Sequence, residues 1–228
     1  MLEGAMEPKT IAARAAMLGF PAIAVTDRNG LYGVMPFSDA CMAKGVQPII
    51  GAMLAVARPP GTGGEGGIDW LVLLAKDDQG YANLCKLVSS AHLDRPLEED
   101  PHVPFAKLEG LSDGLIALTA GAEGALARLM AGGQLSKANA YLDRLQSLFP
   151  QRLYIELSRR NDPVEEAAEE RLVELAYERD LPLVATNPAA YVDPSFHAAH
   201  DAMLCIANSA YVESAERASS SSASFRTA

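Results

Sequence analysis

Short apolar runs alternate with longer segments of helical period along most of the chain. The runs predict strands at 22–26, 47–56, 70–75, 115–119, 153–157 and 183–187. Apolar positions three and four apart predict helices at 7–18, 34–44, 78–91, 122–131, 135–148, 163–179 and 195–207. The 135–148 segment is the clearest, with Leu135, Ala138, Tyr141, Leu142, Leu145 and Leu148 on one face. Pro8 and Pro163 suit first helical turns, Asp162 suits an N-cap, and Gly19 and Gly45 suit helix ends. Strand and helix alternate six or seven times, so the expected fold is α/β, a mainly parallel sheet or barrel with helices outside.

Residues 22–33, AIAVTDRNGLYG, read as a buried parallel strand that delivers polar groups to the mouth of that sheet. Chemistry in such folds sits at strand C-termini. The candidates there are Asp27, Asp69, Thr119, Glu156, Arg159, Arg160 and Asn187. His92 and His102 fall in a charged, Pro-bearing crossing and read as solvated loop residues. His197, His200 and Asp201 form the one His pair with an acid beside it, and ordinary helix packing explains them as well as a metal does.

Composition narrows the classes. The chain has 228 residues, 49% hydrophobic, with a formal charge of −10. Sequence-independent DNA affinity comes from Lys and Arg displacing counterions, so this acidic chain does not fit that role by itself. Cys41, Cys85 and Cys205 are far apart and read as buried thiols of a reducing cytoplasm. The Arg58–Gly67 loop is glycine-rich, but no Gly-Lys-Ser/Thr follows, so it is not a P-loop. No Gly-x-Ser-x-Gly elbow occurs. The start lacks a signal-peptide pattern, and no apolar run approaches the ~20 residues of a membrane span. The expected compartment is the cytoplasm.

The segment Thr26-Asp27-Arg28-Asn29-Gly30-Leu31-Tyr32-Gly33 resembles the TDxxxLxG motif of the PHP (polymerase and histidinol phosphatase) domain family. Within that family the chain resembles the domains that open the alpha subunits of bacterial replicative DNA polymerase III. Met1–Ala5, Gly45–Gly51, Leu73–Ala75, Gly80–Leu84, Asp113–Leu118, Phe149–Leu157, Leu181–Asn187 and His200–Ile206 agree in order. The resemblance covers roughly residues 1–217. It implies a distorted (β/α)7 barrel, here lacking its first strand, with the PHP domain at 1–213. A Ser-rich tail at 214–228, with Ser219–Ser222 in a row, is expected to be disordered.

Active members of the family place metal ligands at strand ends. Carried over, that pattern retains Asp27 only. Arg28, Met53, Trp70, Arg160, Pro188 and Ala190 stand where the family's other ligands would, and the opening His-x-His strand would precede Met1. Met, Trp, Pro and Ala offer no ligand to such cations, and Arg repels one. The resemblance therefore implies a degenerate site with no catalytic residue, no cofactor and no metal, inactive alone. It implies Mg2+ only in a polymerase palm, and no Asp-x-Asp pair of that kind occurs in 1–228. The implied partners are the polymerase core of the same subunit and, in some bacteria, the proofreading exonuclease subunit, with DNA reached only through the full-length holoenzyme and no membrane. A free-standing histidinol-phosphatase-like enzyme and the mutagenic-repair polymerase paralogue are the alternatives. Asp27 is expected to accept hydrogen bonds from the turn at 28–30 or to pair with Arg159 or Arg160.

Overall fold

The computed structural model describes residues 4–62, 67–207, 209 and 211. The expectation of a disordered tail at 214–228 lies outside the described residues, as do Met1–Glu3 of the N-terminal motif. In order, the elements are α1 (Pro8–Met17), β1 (Ala22–Arg28), α2 (Val34–Ala43), β2 (Gln47–Ala57), β3 (Ile68–Ala75), α3 (Asp78–Leu93), β4 (Val103–Pro104) and β5 (Leu115–Leu118). They continue with α4 (Ala125–Ala131), α5 (Leu135–Leu148), β6 (Leu153–Leu157), α6 (Pro163–Glu178), β7 (Leu183–Ala185) and α7 (His197–Ala207). The predicted helix at 122–131 is split, because Gly124 is extended between a 3-10 turn at Gly121–Glu123 and α4.

The chain divides into two compact units, residues 24–34 with 49–185 and residues 1–23 with 35–48 and 186–228. The larger holds most of the sheet. Strands follow the order β1-β2-β3-β5-β6-β7, and β4 adds to β2. β5, β6 and β7 run parallel, but β3 lies antiparallel to both its neighbours, β2 and β5. The mainly parallel expectation is therefore corrected at β3. β2 and β3 are consecutive in the chain and pair antiparallel, where a parallel neighbour would need a longer crossover.

The sheet's two faces differ as the period-2 rule requires. Ala52, Leu54, Val56, Leu71, Leu73, Leu115, Ala117, Leu153 and Ile155 point into a core shared with α3, α4, α5 and α6. The opposite face carries buried Val72 and Leu118 against half-buried Met53, Trp70, Leu74, Ile116, Tyr154 and Val184. β1 departs from expectation, since it contains no fully buried residue. It ends the strand order, so it has a sheet neighbour on one side only.

In the smaller unit, Ala12 and Ala15 of α1, Phe37 and Cys41 of α2, Tyr191, and Cys205 of α7 are buried. Ala5 N–H donates to the Ala190 carbonyl at 3.0 Å. Among the described residues no helix is long and apolar enough to cross a membrane.

One close approach sets how α3 meets the sheet. Asp77 caps α3 by accepting from Gly80 N–H at 2.9 Å, and Asn83 Nδ2 donates to the Asp113 carbonyl at 2.9 Å. A Cβ on Gly80 would lie 1.9 Å from the Gly114 carbonyl oxygen. Gly114 itself has φ +72°, the left-handed region that favours glycine. Gly80→Ala should therefore cost about 1–3 kcal/mol, as overpacking does. A urea unfolding midpoint equal to that of the unaltered chain would count against this contact.

Candidate functional site

The site is built from strand ends of the larger unit. β2 pairs with β3 so that Ala55 faces Trp70 and Val56 faces Asp69. Because β3 is reversed, its first residues stand at the same end of the sheet as the last residues of β2. Trp70 and Asp69 reach the rim by this route, and Trp70 also bridges to Gly124 beyond β5.

Arg28, at the end of β1, lies over the Trp70 ring at 4.5 Å and pairs with Glu123 at 2.6 Å. Glu123 also faces Arg160 at 3.8 Å. Arg160 stands 3.6 Å from Glu165, and its N–H donates to the same carboxylate at 2.7 Å. Ser158 donates to Glu165 as well. The rim is thus a chain of alternating charge: Trp70, Arg28, Glu123, Arg160, Glu165, Ser158. Each carboxylate in it is already held by a guanidinium or a hydrogen-bond donor. Arg28, Glu123 and Arg160 are only partly exposed, so these pairs are screened less than surface pairs.

The sequence-predicted residues divide between this network and scaffolding. Glu156 accepts from Ala120 N–H at 3.0 Å, and Ala120 holds φ +61°. Thr119 Oγ1 accepts from Glu156 N–H at 2.9 Å. These two residues fix the β5–β6 rim. Asp27 accepts from Gly33 N–H at 3.4 Å, a contact further along the turn than residues 28–30. Its expected arginine partners are engaged elsewhere, Arg160 as above and Arg159 with Glu169 at 2.6 Å.

Asp69 is 2% exposed and salt-bridged to Arg58, with a further Arg58 bond at 2.9 Å and one from Arg128 at 3.0 Å. The bond to Asp69 pushes the Arg58 guanidinium above its ordinary value. Burial, with the Asp69 charge second, pushes up the pKa of nearby Tyr141. Asp69 therefore ties the end of β2 to α4 and performs no exposed chemistry.

Asn187, Pro188 and Ala190 belong to the smaller unit. So do His197 and His200, whose rings pack on buried Tyr191 at centroid distances of 6.1 and 5.4 Å. His200 and Asp201 are buried within α7. His92 lies inside α3, not in a loop, and its Nε2 contacts the Asn29 carbonyl at 2.7 Å. His102 Nδ1 donates to the Asp100 carbonyl at 2.8 Å. Glu123 and Glu165 had no strand-end signal, since both lie within or just before helices. Asp or Glu beside an Arg-rich strand end was the one hint available. Among the described residues, no three His, Cys, Asp or Glu side chains form a group able to hold a metal ion.

A profile of the PHP domain family matches residues 1–160. The DNA polymerase III subunit alpha of Caulobacter vibrioides is 41% identical over 222 residues, 95% of this chain and 19% of the relative. That of Rickettsia bellii is 32% identical over 205 residues, 90% of this chain and 17% of the relative. The chain thus spans about a fifth of the length of the curated relatives it matches. Among solved structures, a Bifidobacterium adolescentis protein named for metal-dependent phosphoesterase activity superposes with a TM-score of 0.50 at 15% identity. That match covers 81% of this chain and 82% of the other, and it shows the shared fold.

Asp69→Asn keeps the side chain's shape and removes the charge opposite two guanidiniums. It should destabilise the fold by about 3–5 kcal/mol, the cost of breaking a buried ion pair. Arg159→Ala removes an exposed pair and should leave the unfolding midpoint in place. Equal midpoints for the two variants would show that Asp69 is not the tie described.

Proposed function

The chain belongs to the PHP domain family, and on that premise we propose that it is the PHP region of a bacterial DNA polymerase III alpha subunit, serving as a packing module without phosphoesterase chemistry. The order and identity of the matched segments support the polymerase reading over a free-standing enzyme. The observation that carries the second half is the rim network of Arg28, Glu123, Arg160 and Glu165.

A metal centre of the family's kind needs several oxygen and nitrogen donors free to converge. Here Met53 and Trp70 are half-buried parts of an apolar sheet face. The rim carboxylates are occupied by Arg28 and Arg160, whose fixed charge opposes a divalent cation. The residues present do not fit the metal group, and no catalytic step is assigned to it. In this reading the two guanidiniums neutralise the carboxylates that a cation would otherwise have to neutralise. DNA synthesis belongs to the full-length subunit, and this region's direct partner is the polymerase core of the same subunit. Contact with a proofreading exonuclease is a further part of the proposal.

The test is hydrolysis of bis-p-nitrophenyl phosphate with Mn2+ or Zn2+ added. The expected rate equals that of an Asp27→Ala control, with no metal retained after gel filtration. Metal-dependent turnover above that control would sink the proposal. Mixing the purified chain with a polymerase core expressed without its PHP domain should give co-elution, and separate elution would count against the packing role.

A further inference from the structure

The rim turn contains a residue whose four polar groups are all engaged across segments. Asn29 is 8% exposed and left-handed at φ +46°, a conformation Asn tolerates better than most residues. Its N–H donates to the Met53 carbonyl at 2.8 Å, and its Oδ1 accepts from Ala55 N–H at 2.8 Å. Both bonds hold β2. Its Nδ2 donates to the Pro101 carbonyl at 2.6 Å. Its own carbonyl lies 2.7 Å from His92 Nε2, and since a carbonyl only accepts, that nitrogen carries the proton.

His92, in the last turn of α3, and Pro101 flank one loop, residues 94–100. Asn29 therefore staples both ends of that loop to β2. Just beyond Pro101, β4 joins β2 at Val56 and Ala57, which anchors the returning chain independently. Inside the loop, Arg95 Nη1 donates to the carbonyls of Pro96, Leu97 and Glu99, and Lys107 pairs with Asp94 at 3.1 Å. Three carbonyls of the loop thus converge on one guanidinium. Leu93 and Leu97, at 79% and 89% exposure, are turned out beside Glu98, Glu99 and Asp100.

We infer that Asn29 is a latch: its carboxamide holds the 94–101 strap closed on the end of β2, and opening of the strap is controlled by that side chain. β4 and the helix that carries His92 limit the motion to the residues between them. Without the latch the strap loses its fixed attachment to the sheet, and its turn bonds from Asp94 N–H to Ser90 and from Glu99 N–H to Pro96 open more often.

The variant that isolates the latch is Asn29→Asp. It retains the acceptor for Ala55 N–H and the left-handed backbone, but it replaces the donor to Pro101 with a second acceptor. Hydrogen exchange followed by mass spectrometry on the whole chain gives the readout. Exchange of the Asp94 and Glu99 amides, the strap N–H groups that donate to the Ser90 and Pro96 carbonyls, should accelerate roughly tenfold, the scale of one buried hydrogen bond, while 49–56 and 69–74 keep their protection. Unchanged exchange in the strap would overturn the latch, as would equal acceleration over β2. If Asn29→Asp does not fold, Asn29→Gly removes the carboxamide and tolerates the left-handed backbone, and unchanged exchange of the Asp94 and Glu99 amides in it would overturn the latch.

Discussion

Everything at the rim depends on the reversal of β3. A strand hydrogen-bonded on both edges, and antiparallel on both, has its beginning where its neighbours end. That constraint carries Asp69 and Trp70 to the same end as Arg28, Glu123 and Arg160. Asp69 then fastens the loop end of β2 to α4 through Arg58 and Arg128, while Trp70 gives Arg28 a surface to lie on. With β3 parallel, both residues would sit at the far end, and the arginines of the rim would lack these partners.

Electrostatics at the rim is a balance between desolvation and mutual pairing. Two guanidiniums and two carboxylates that are partly removed from water must satisfy one another. Arg28 and Arg160 share Glu123, and Arg160 shares Glu165 with Ser158. These groups point at each other.

Much of the architecture was legible in the sequence because it rests on long apolar periods. The limits of α5 match the reading residue for residue, and most other elements differ by one to three positions. The reversal of β3 was not legible, because an apolar run states that a strand is buried and says nothing of its direction. β4 is two residues long and has no period to detect. β1 reads as a buried strand from its composition, yet its exposure follows from its place at the end of the strand order. At the site, the residues at strand ends, Arg28 and Arg160 among them, could be read directly. Their pairs with Glu123 and Glu165 could not, since those partners come from turns and helix starts whose approach is set by tertiary packing. Asn29 appeared only as a turn residue, because its partners lie 24 to 72 positions away.

The shared carboxylates have a consequence for how this rim can change over time. Replacing Arg160 alone would take the guanidinium from Glu165, leaving it the Ser158 hydroxyl and the residue 160 N–H, and would leave Glu123 paired with Arg28 only. A substitution at Arg28 alone would uncover the Trp70 ring and unpair Glu123 from the other side. The shared pairs therefore tie Arg28, Glu123, Arg160 and Glu165 to change together, since altering one shifts the charge balance of the others.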